Sequence, residues 1–340
     1  MLRILHGTNY DFIKYWKHAA IATIVFIVAG MSLLLVHRER TGSAVNWNIE
    51  FTGGTFMQVS FKQKPDPTAV RAAVSSAGFT DAEVAQFGSD TAYSIRASAT
   101  TTREATAQSA DSAAQMIERA LHQQFGDSTH VKVLHAFFVG PRVGAELKRD
   151  ATIAVLLSFI VTLIYLAIRF EWRFGLAAVI ATAHDVLTTL AFIAMLRLEV
   201  SLTVVAAILT VIGYSLNDTI IIFDRLREDL KKRRKEPLRD TLNRAINETL
   251  PRSILTHATA LSATLALLFF AGETIRPFSA VMAFGIFTGT FSSIYVAGAI
   301  LIWIEYKWPR ASGTDIRPTS SQGKAPKPAS TPSPAGAASR

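Results

Sequence analysis

Six apolar blocks, at 19–36, 151–168, 174–196, 200–223, 253–272 and 277–304, dominate the sequence. Each can cross a hydrocarbon core of roughly 30 Å, which takes about 20 helical residues. Inside lipid every backbone N–H and C=O must find an internal partner, and none of the blocks alternates as a barrel strand does. The expected fold is therefore an α-helical integral membrane protein with six transmembrane helices. Composition agrees: 50% of the 340 residues are hydrophobic and 18% charged, where a soluble domain carries about a quarter charged residues. The fifth block is the most diluted, by His257 and several Ser and Thr residues. The first follows a polar lead at 1–18 and has no small-residue cleavage pattern after Val36, so it reads as a retained anchor.

The formal charge of +9 would suit a nucleic-acid binder, but the position of the basic residues matters more than their sum. They sit beside the spans. Arg225, Arg227, Lys231, Lys232, Arg233, Arg234 and Lys235 fall in a basic loop at 224–252, and Arg169 and Arg173 lie between the second and third blocks. Such loops face the cytoplasm. The turns around Arg197 and Glu199 and around Glu273 and Arg276 are short and poor in basic residues. This alternation places both chain ends in the cytoplasm and leaves nucleic acid an unexpected partner. The tail at 305–340 is rich in Pro, Ser, Ala and Lys beyond 312 and lacks the apolar surface that would offset the entropy of ordering. It is expected to be a disordered cytoplasmic segment.

Between the first two spans, 37–150 has the polar periodicity of a soluble domain on the outer face. Residues 56–61 alternate as a strand; Val70, Ala73, Val74 and Ala77 repeat at helical spacing before Gly78. Strands follow at 83–87 and 92–96 around a turn at Gly88, Ser89 and Asp90, then a helix at 101–125 ended by Gly126, then a strand at 131–139. Strand, helix, strand, strand, helix, strand is the split βαβ order of a ferredoxin-like α+β domain.

Common catalytic signatures are missing. Cys is absent, which removes disulfides, thiolate metal sites and cysteine nucleophiles. The Gly323–Lys324 pair has no glycine five residues earlier, so no phosphate-binding loop is present, and metalloprotease spacing and a serine nucleophile elbow are missing too. The chain is not expected to be an enzyme or to hold a cofactor or metal. The energy source left to it is an ion gradient.

Ionisable groups inside the blocks are the sharpest chemical clue, since each costs about 2.5 to 3.5 kcal/mol at a helix centre. The third block carries His184 and Asp185, the fourth Asn217 and Asp218, and the fifth Arg252 and His257. Asp218 lies about one and a half turns inside Asp224, and it is expected to pair with Arg252 and to exchange a proton, the elements of a relay. His184 and Asp185 point about 100° apart on one helix, so one is expected to serve the relay and the other packing. For His257, bonding to a neighbouring carbonyl is as good an account as proton carrying. Gly285, Gly289 and Ser293 recur every four residues, a pattern that lets helices approach closely.

At these residues the chain resembles the SecD/SecF family, a branch related to RND exporters. NWNIEFTGGTF carries the family's acidic-Phe-Thr-Gly-Gly-Thr signature at Glu50, Phe51, Thr52, Gly53, Gly54 and Thr55, with Glu where Asp is commoner. VGPRVGAELKRDA, AHDVLTTLAF, IGYSLNDTIIIFDRLRE and LPRSILTHATAL extend the likeness, Pro251 standing at a variable position, so that it runs from Trp47 to Trp303. The resemblance implies a subunit of the bacterial inner membrane with its soluble domain on the periplasmic side. It implies work with SecD to assist polypeptides leaving the SecYEG channel at the cost of the proton-motive force, sodium being the alternative ion, with YajC a further neighbour. The family's proton-path aspartate and arginine fall on Asp218 and Arg252, and a second aspartate belongs to SecD. A small-molecule exporter of the RND type would need larger outer domains, and a passive scaffold would not need the buried charges.

Overall fold

The computed structural model describes residues 8–98, 107–126, 130–232 and 236–309. A short 3₁₀ turn, Phe12–Tyr15, leads into α1 (Trp16–Thr41), which ends where Gly42 takes a left-handed φ of 76°. Strand β1 (Asn46–Trp47) and the single turn α2 (Ile49–Thr52) then precede the sheet domain. This domain runs β2 (Gly54–Phe61), α3 (Pro67–Ser76), β3 (Glu83–Phe87), β4 (Ser89–Ser98), α4 (Ala107–Phe125) and β5 (Val131–Val139). Asp66 accepts from the Thr68 N–H and Pro67 occupies the first turn of α3, a pairing that suits a helix start.

The four strands lie in the order β3-β4-β2-β5, each neighbour antiparallel, with a bulge between Gln58 and Val59. Met57, Val59, Val70, Val74, Ile95, Ile117 and Leu121 form one buried cluster between the sheet and its two helices. Phe56 and Phe137 pair on the opposite face. The predicted turn at Ser89 and Asp90 is already part of β4, which is longer than the 92–96 expected. Residues 101–106 of the predicted helix lie outside the described residues.

The remaining helices are α5 (Pro141–Arg169), α6 (Trp172–Leu196), α7 (Leu202–Lys232), α8 (Leu238–Phe270), α9 (Arg276–Ser292) and α10 (Gly298–Lys307), with a π segment, Ser293–Ala297, between the last two and a two-residue strand β6 (Glu199–Val200) before α7. Six helical stretches are long and apolar enough to cross a membrane: Phe12–Thr41, Pro141–Arg169, Trp172–Leu196, Leu202–Lys232, Leu238–Phe270 and Arg276–Lys307. The protein is thus a multi-pass, mostly helical membrane protein with a small sheet region.

Several boundaries move. The second helix begins at Pro141, not 151, because Pro141 supplies a first-turn φ and the amphipathic stretch to Asp150 continues the helix out of the apolar zone. The expected loop at 224–252 is helical: α7 runs on to Lys232 and α8 starts at Leu238. Within it Arg244 pairs with Glu236 at 2.5 Å and Arg225 bridges to Glu248, while Asp224 pairs with Arg169 at the end of α5 at 2.6 Å. Residues 233–235 and the tail from 310 lie outside the described residues, whereas 305–307, expected in that tail, belong to α10.

Small residues set the closest helix approaches. A Cβ on Gly30 of α1 would overlap Ala191 of α6, and one on Gly285 of α9 would overlap the Val211 side chain of α7. One on Gly289 would lie 3.0 Å from Cβ of Ser215. Helix α9 is therefore pressed onto α7 along the predicted small-residue stripe. Gly285→Val is expected to cost about 1–3 kcal/mol through overpacking, read as a lower midpoint of unfolding in detergent. Gly213→Ala, which meets nothing within 4 Å, should leave that midpoint near the parent value.

Candidate functional site

Midway along the bundle, two carboxylates are buried within cages of serine hydroxyls. Asp218 of α7 is 3% exposed and accepts from Ser253 Oγ of α8 and, at 2.7 Å, from Ser293 Oγ at the start of the π segment. Asp185 of α6 is 1% exposed. It accepts from Ser215 Oγ of α7 and, at 2.7 Å, from Ser292 Oγ of α9, and its other oxygen lies 3.0 Å from His184 Nδ1. Ser215 and Asp218 are three residues apart, hence neighbours on one face of α7. Ser292 and Ser293 are consecutive, and each serves a different carboxylate.

The expected Asp218–Arg252 pair is not formed. Helical phase explains this: Ser253 and His257, four residues apart, share the buried face of α8, and Arg252, rotated by about 100°, is exposed. Among the described residues Arg252 makes no ion pair. Asn217 is likewise exposed on α7, next to Gly213 one turn earlier. His184 and Asp185 were expected to diverge, yet a rotamer of each lets the adjacent side chains meet directly. His257 Nδ1 lies 2.6 Å from the Ser253 carbonyl and its ring meets Tyr214 edge-on, the neighbour-bonded arrangement. Among the described residues, the buried Nε2 atoms of His184 and His257 have no hydrogen-bond partner.

Serines 215, 253, 292 and 293 carry the site, and the sequence reading named only Ser293, for packing. A usable signal existed in the i, i+3 spacing of Ser215 and Asp218.

The family signature occupies a second location, where the sheet domain meets the bundle. Glu50 accepts the Leu202 N–H at 2.7 Å and so caps the first turn of α7, where negative charge also meets the positive end of the helix dipole. Phe51 is buried against Trp47 and Ile193, Thr52 is exposed and Thr55 buried. Gly53 has φ +76° and would place a Cβ 2.8 Å from Pro141 Cα, so the junction needs glycine there. Gly54 opens β2 beside Val139. Strand β1 pairs with β6 in parallel, Asn46 with Glu199 and Trp47 with Val200. Arg96 of β4 reaches Glu199 at 2.5 Å, and Asn48 donates to the same carboxylate at 2.8 Å.

Burial raises the Glu199 carboxyl above its ordinary value of 4.5, outweighing the nearby Arg96, while Glu83 and Glu50 push in the same direction as burial. A raised carboxyl binds its proton more tightly folded than unfolded, so its stabilising contribution is full below 4.5 and is lost as pH climbs through the raised value. The junction should therefore be less stable at neutral pH than at pH 4.5. Amide exchange at Asn46 and Asn48, compared at the two pH values, measures it. Glu199→Gln should flatten the difference.

Fold and site together define a polytopic membrane protein with buried carboxylates in its helical bundle and a sheet domain tied to one end. The family model described as "Protein export membrane protein SecD/SecF, C-terminal" matches residues 118–307. The protein translocase subunit SecF of Gemmatimonas aurantiaca is 57% identical over 311 residues, 91% of this chain and 91% of that relative. That of Vibrio alginolyticus is 37% identical over 302 residues, 89% and 92% of the two chains. The crystal structure of SecDF from Thermus thermophilus, titled a translocon-associated membrane protein, superposes with a TM-score of 0.76 at 31% identity. It matches 90% of this chain and 40% of the SecDF chain, so this chain spans two fifths of that longer one. A second SecDF structure, in a super-membrane-facing form, gives a TM-score of 0.63. The chain belongs to the SecD/SecF family.

Proposed function

We propose that this chain is an accessory subunit of the Sec protein-export translocase and that, with SecD, it draws on the proton-motive force to assist polypeptides across the bacterial inner membrane. The observation that carries the reading is Asp218, buried midway along a spanning helix and held by two hydroxyls. Ionised, the carboxylate accepts both O–H bonds; protonated, it must donate one of its own, so the surrounding bonds reorganise with each proton. Nucleotide hydrolysis has no part in this scheme. The named relatives support the export role.

Exposed polar groups support SecD as the partner. Thr210, Gly213 and Asn217 of α7 and Arg252, Thr256 and Thr259 of α8 face out of the bundle. A lone arginine toward lipid would cost several kcal/mol, so this face suits a second protein. Arg252 then meets a carboxylate of SecD rather than Asp218. SecYEG and YajC complete the assembly on this reading.

In this arrangement the basic end of the bundle lies in the cytoplasm with both chain ends, and the sheet domain, of ferredoxin-like βαββαβ design, lies outside. Motion has a path outward: α7 carries Asp218, and its first turn is capped by Glu50, while β6 just before it pairs with β1. Coupling of this kind follows a rigid element with two arrangements.

Asp218→Asn, reconstituted with SecD and SecYEG in proteoliposomes, is expected to lose at least tenfold of proton-dependent export while membrane insertion and SecD co-purification persist. Export at the parent rate would remove the relay role and leave a scaffold. Orientation has its own test, clean because the chain lacks Cys. Lys64→Cys should react with an impermeant maleimide from outside and Lys231→Cys only from inside.

A further inference from the structure

The π segment begins at the residues that hold the two carboxylates, and each of these serines has two acceptors for its single proton. Ser292 Oγ lies 2.7 Å from Asp185 Oδ2 and 3.2 Å from the Gly289 carbonyl. Ser293 Oγ lies 2.7 Å from Asp218 Oδ2 and 3.0 Å from the Thr290 carbonyl. Both serines are fully buried. A hydroxyl donates once, and an ionised carboxylate is the stronger acceptor. When the carboxyl gains a proton, it donates that proton to the serine oxygen, and the serine O–H must turn to its own helix, three residues back. No other bond forms or breaks, and release of the proton reverses the step.

Hydroxyls bonded back onto a preceding carbonyl compete with the helical ladder and bend it. Here they would do so where the i→i−4 pattern has already given way to π geometry, a feature that clusters at functional sites. We propose that Ser292 and Ser293 are positioning residues that translate the protonation of Asp185 and Asp218 into a change of helical register at Ser293–Ala297, making Asp185 the second proton-holding group. The proposal rests on the relay reading of Asp218. It adds a second carboxylate and the element that responds to both.

Few other ionisable groups face the pair. His184 faces Asp185 from α6; Tyr214 of α7 and His257 of α8 pack edge-on beside Ser253. Arg252 is exposed, and the mid-spans of α1 (19–36) and α5 (151–164) contain no ionisable residue. Glu305 of α10 lies 3.9 Å from Arg173 at the basic end, away from the carboxylates.

The test uses the full chain reconstituted with SecD, with proton uptake followed against pH and protonated carboxyls followed by their infrared C=O bands. Two such bands are expected, one lost in Asp218→Asn and the other in Asp185→Asn. Ser293→Ala removes one donor from ionised Asp218 and should move the half-maximal pH of uptake upward by about one unit, shifting only the Asp218 band. Ser292→Ala should shift only the Asp185 band, and threonine at either position, which keeps the hydroxyl, should restore the parent profile. Alanine variants that keep both bands and the parent pH profile, while Asp218→Asn is inactive, would overturn this proposal and leave the relay intact. Proton-dependent export by Asp218→Asn overturns the relay and this proposal with it.

Discussion

Two carboxylates sit inside a membrane bundle with serine hydroxyls as their donors, and the helix packing is arranged around that fact. Burying an anion is tolerable only where donors satisfy it, and the donors here come from four directions: α7, α8, the last residue of α9 and the first of the π segment. Each donor has to arrive within about 3 Å. That demand explains the glycine stripe on α9. Gly285 and Gly289 let it approach α7 until Gly289 touches Ser215, and one turn later its serines reach both aspartates.

The same helix links the site to the sheet domain. Helix α7 holds Ser215 and Asp218 at mid-span, while its first turn is capped by Glu50 from the family signature. Directly before it, Glu199 and Val200 pair with β1 and Glu199 receives Arg96 from the sheet. The signature is therefore a joint: an acidic cap on one helix, a buried Phe51, and glycines that let the chain turn against Pro141 of another helix. Substituting Glu for the commoner Asp keeps the charge that capping uses.

The spans were legible because lipid demands long apolar blocks, and the succession of strands and helices along the sheet domain followed from periodicity. The helix ends were not legible. Residues 141–150, 224–232 and 238–248 continue helices beyond the apolar zone, where hydropathy no longer marks them. The aspartates stood out by charge alone, but their partners did not. Hydroxyls in membrane helices routinely bond to the carbonyl three or four residues back, as Thr210, Thr259 and Ser262 do, so sequence cannot separate these from the four that reach a carboxylate. Arg252 misled for a related reason: proximity of spans placed it near Asp218, and one residue of helical phase handed the contact to Ser253.

That single residue of phase divides the bundle's polar groups into two sets. Ser253 and His257 look inward, and their contacts close within this chain. Arg252, Thr256 and Asn217 look outward, and the Thr256 hydroxyl donates back to the Arg252 carbonyl of its own helix. An inward carboxylate satisfied without a cation and an outward cation without a carboxylate are complementary omissions on adjacent helices. On the proposed relay, a change in the inner hydrogen bonds acts on α7 and α8 together, and among the described residues Arg252 is an exposed cation without an ion pair on the outward face of α8.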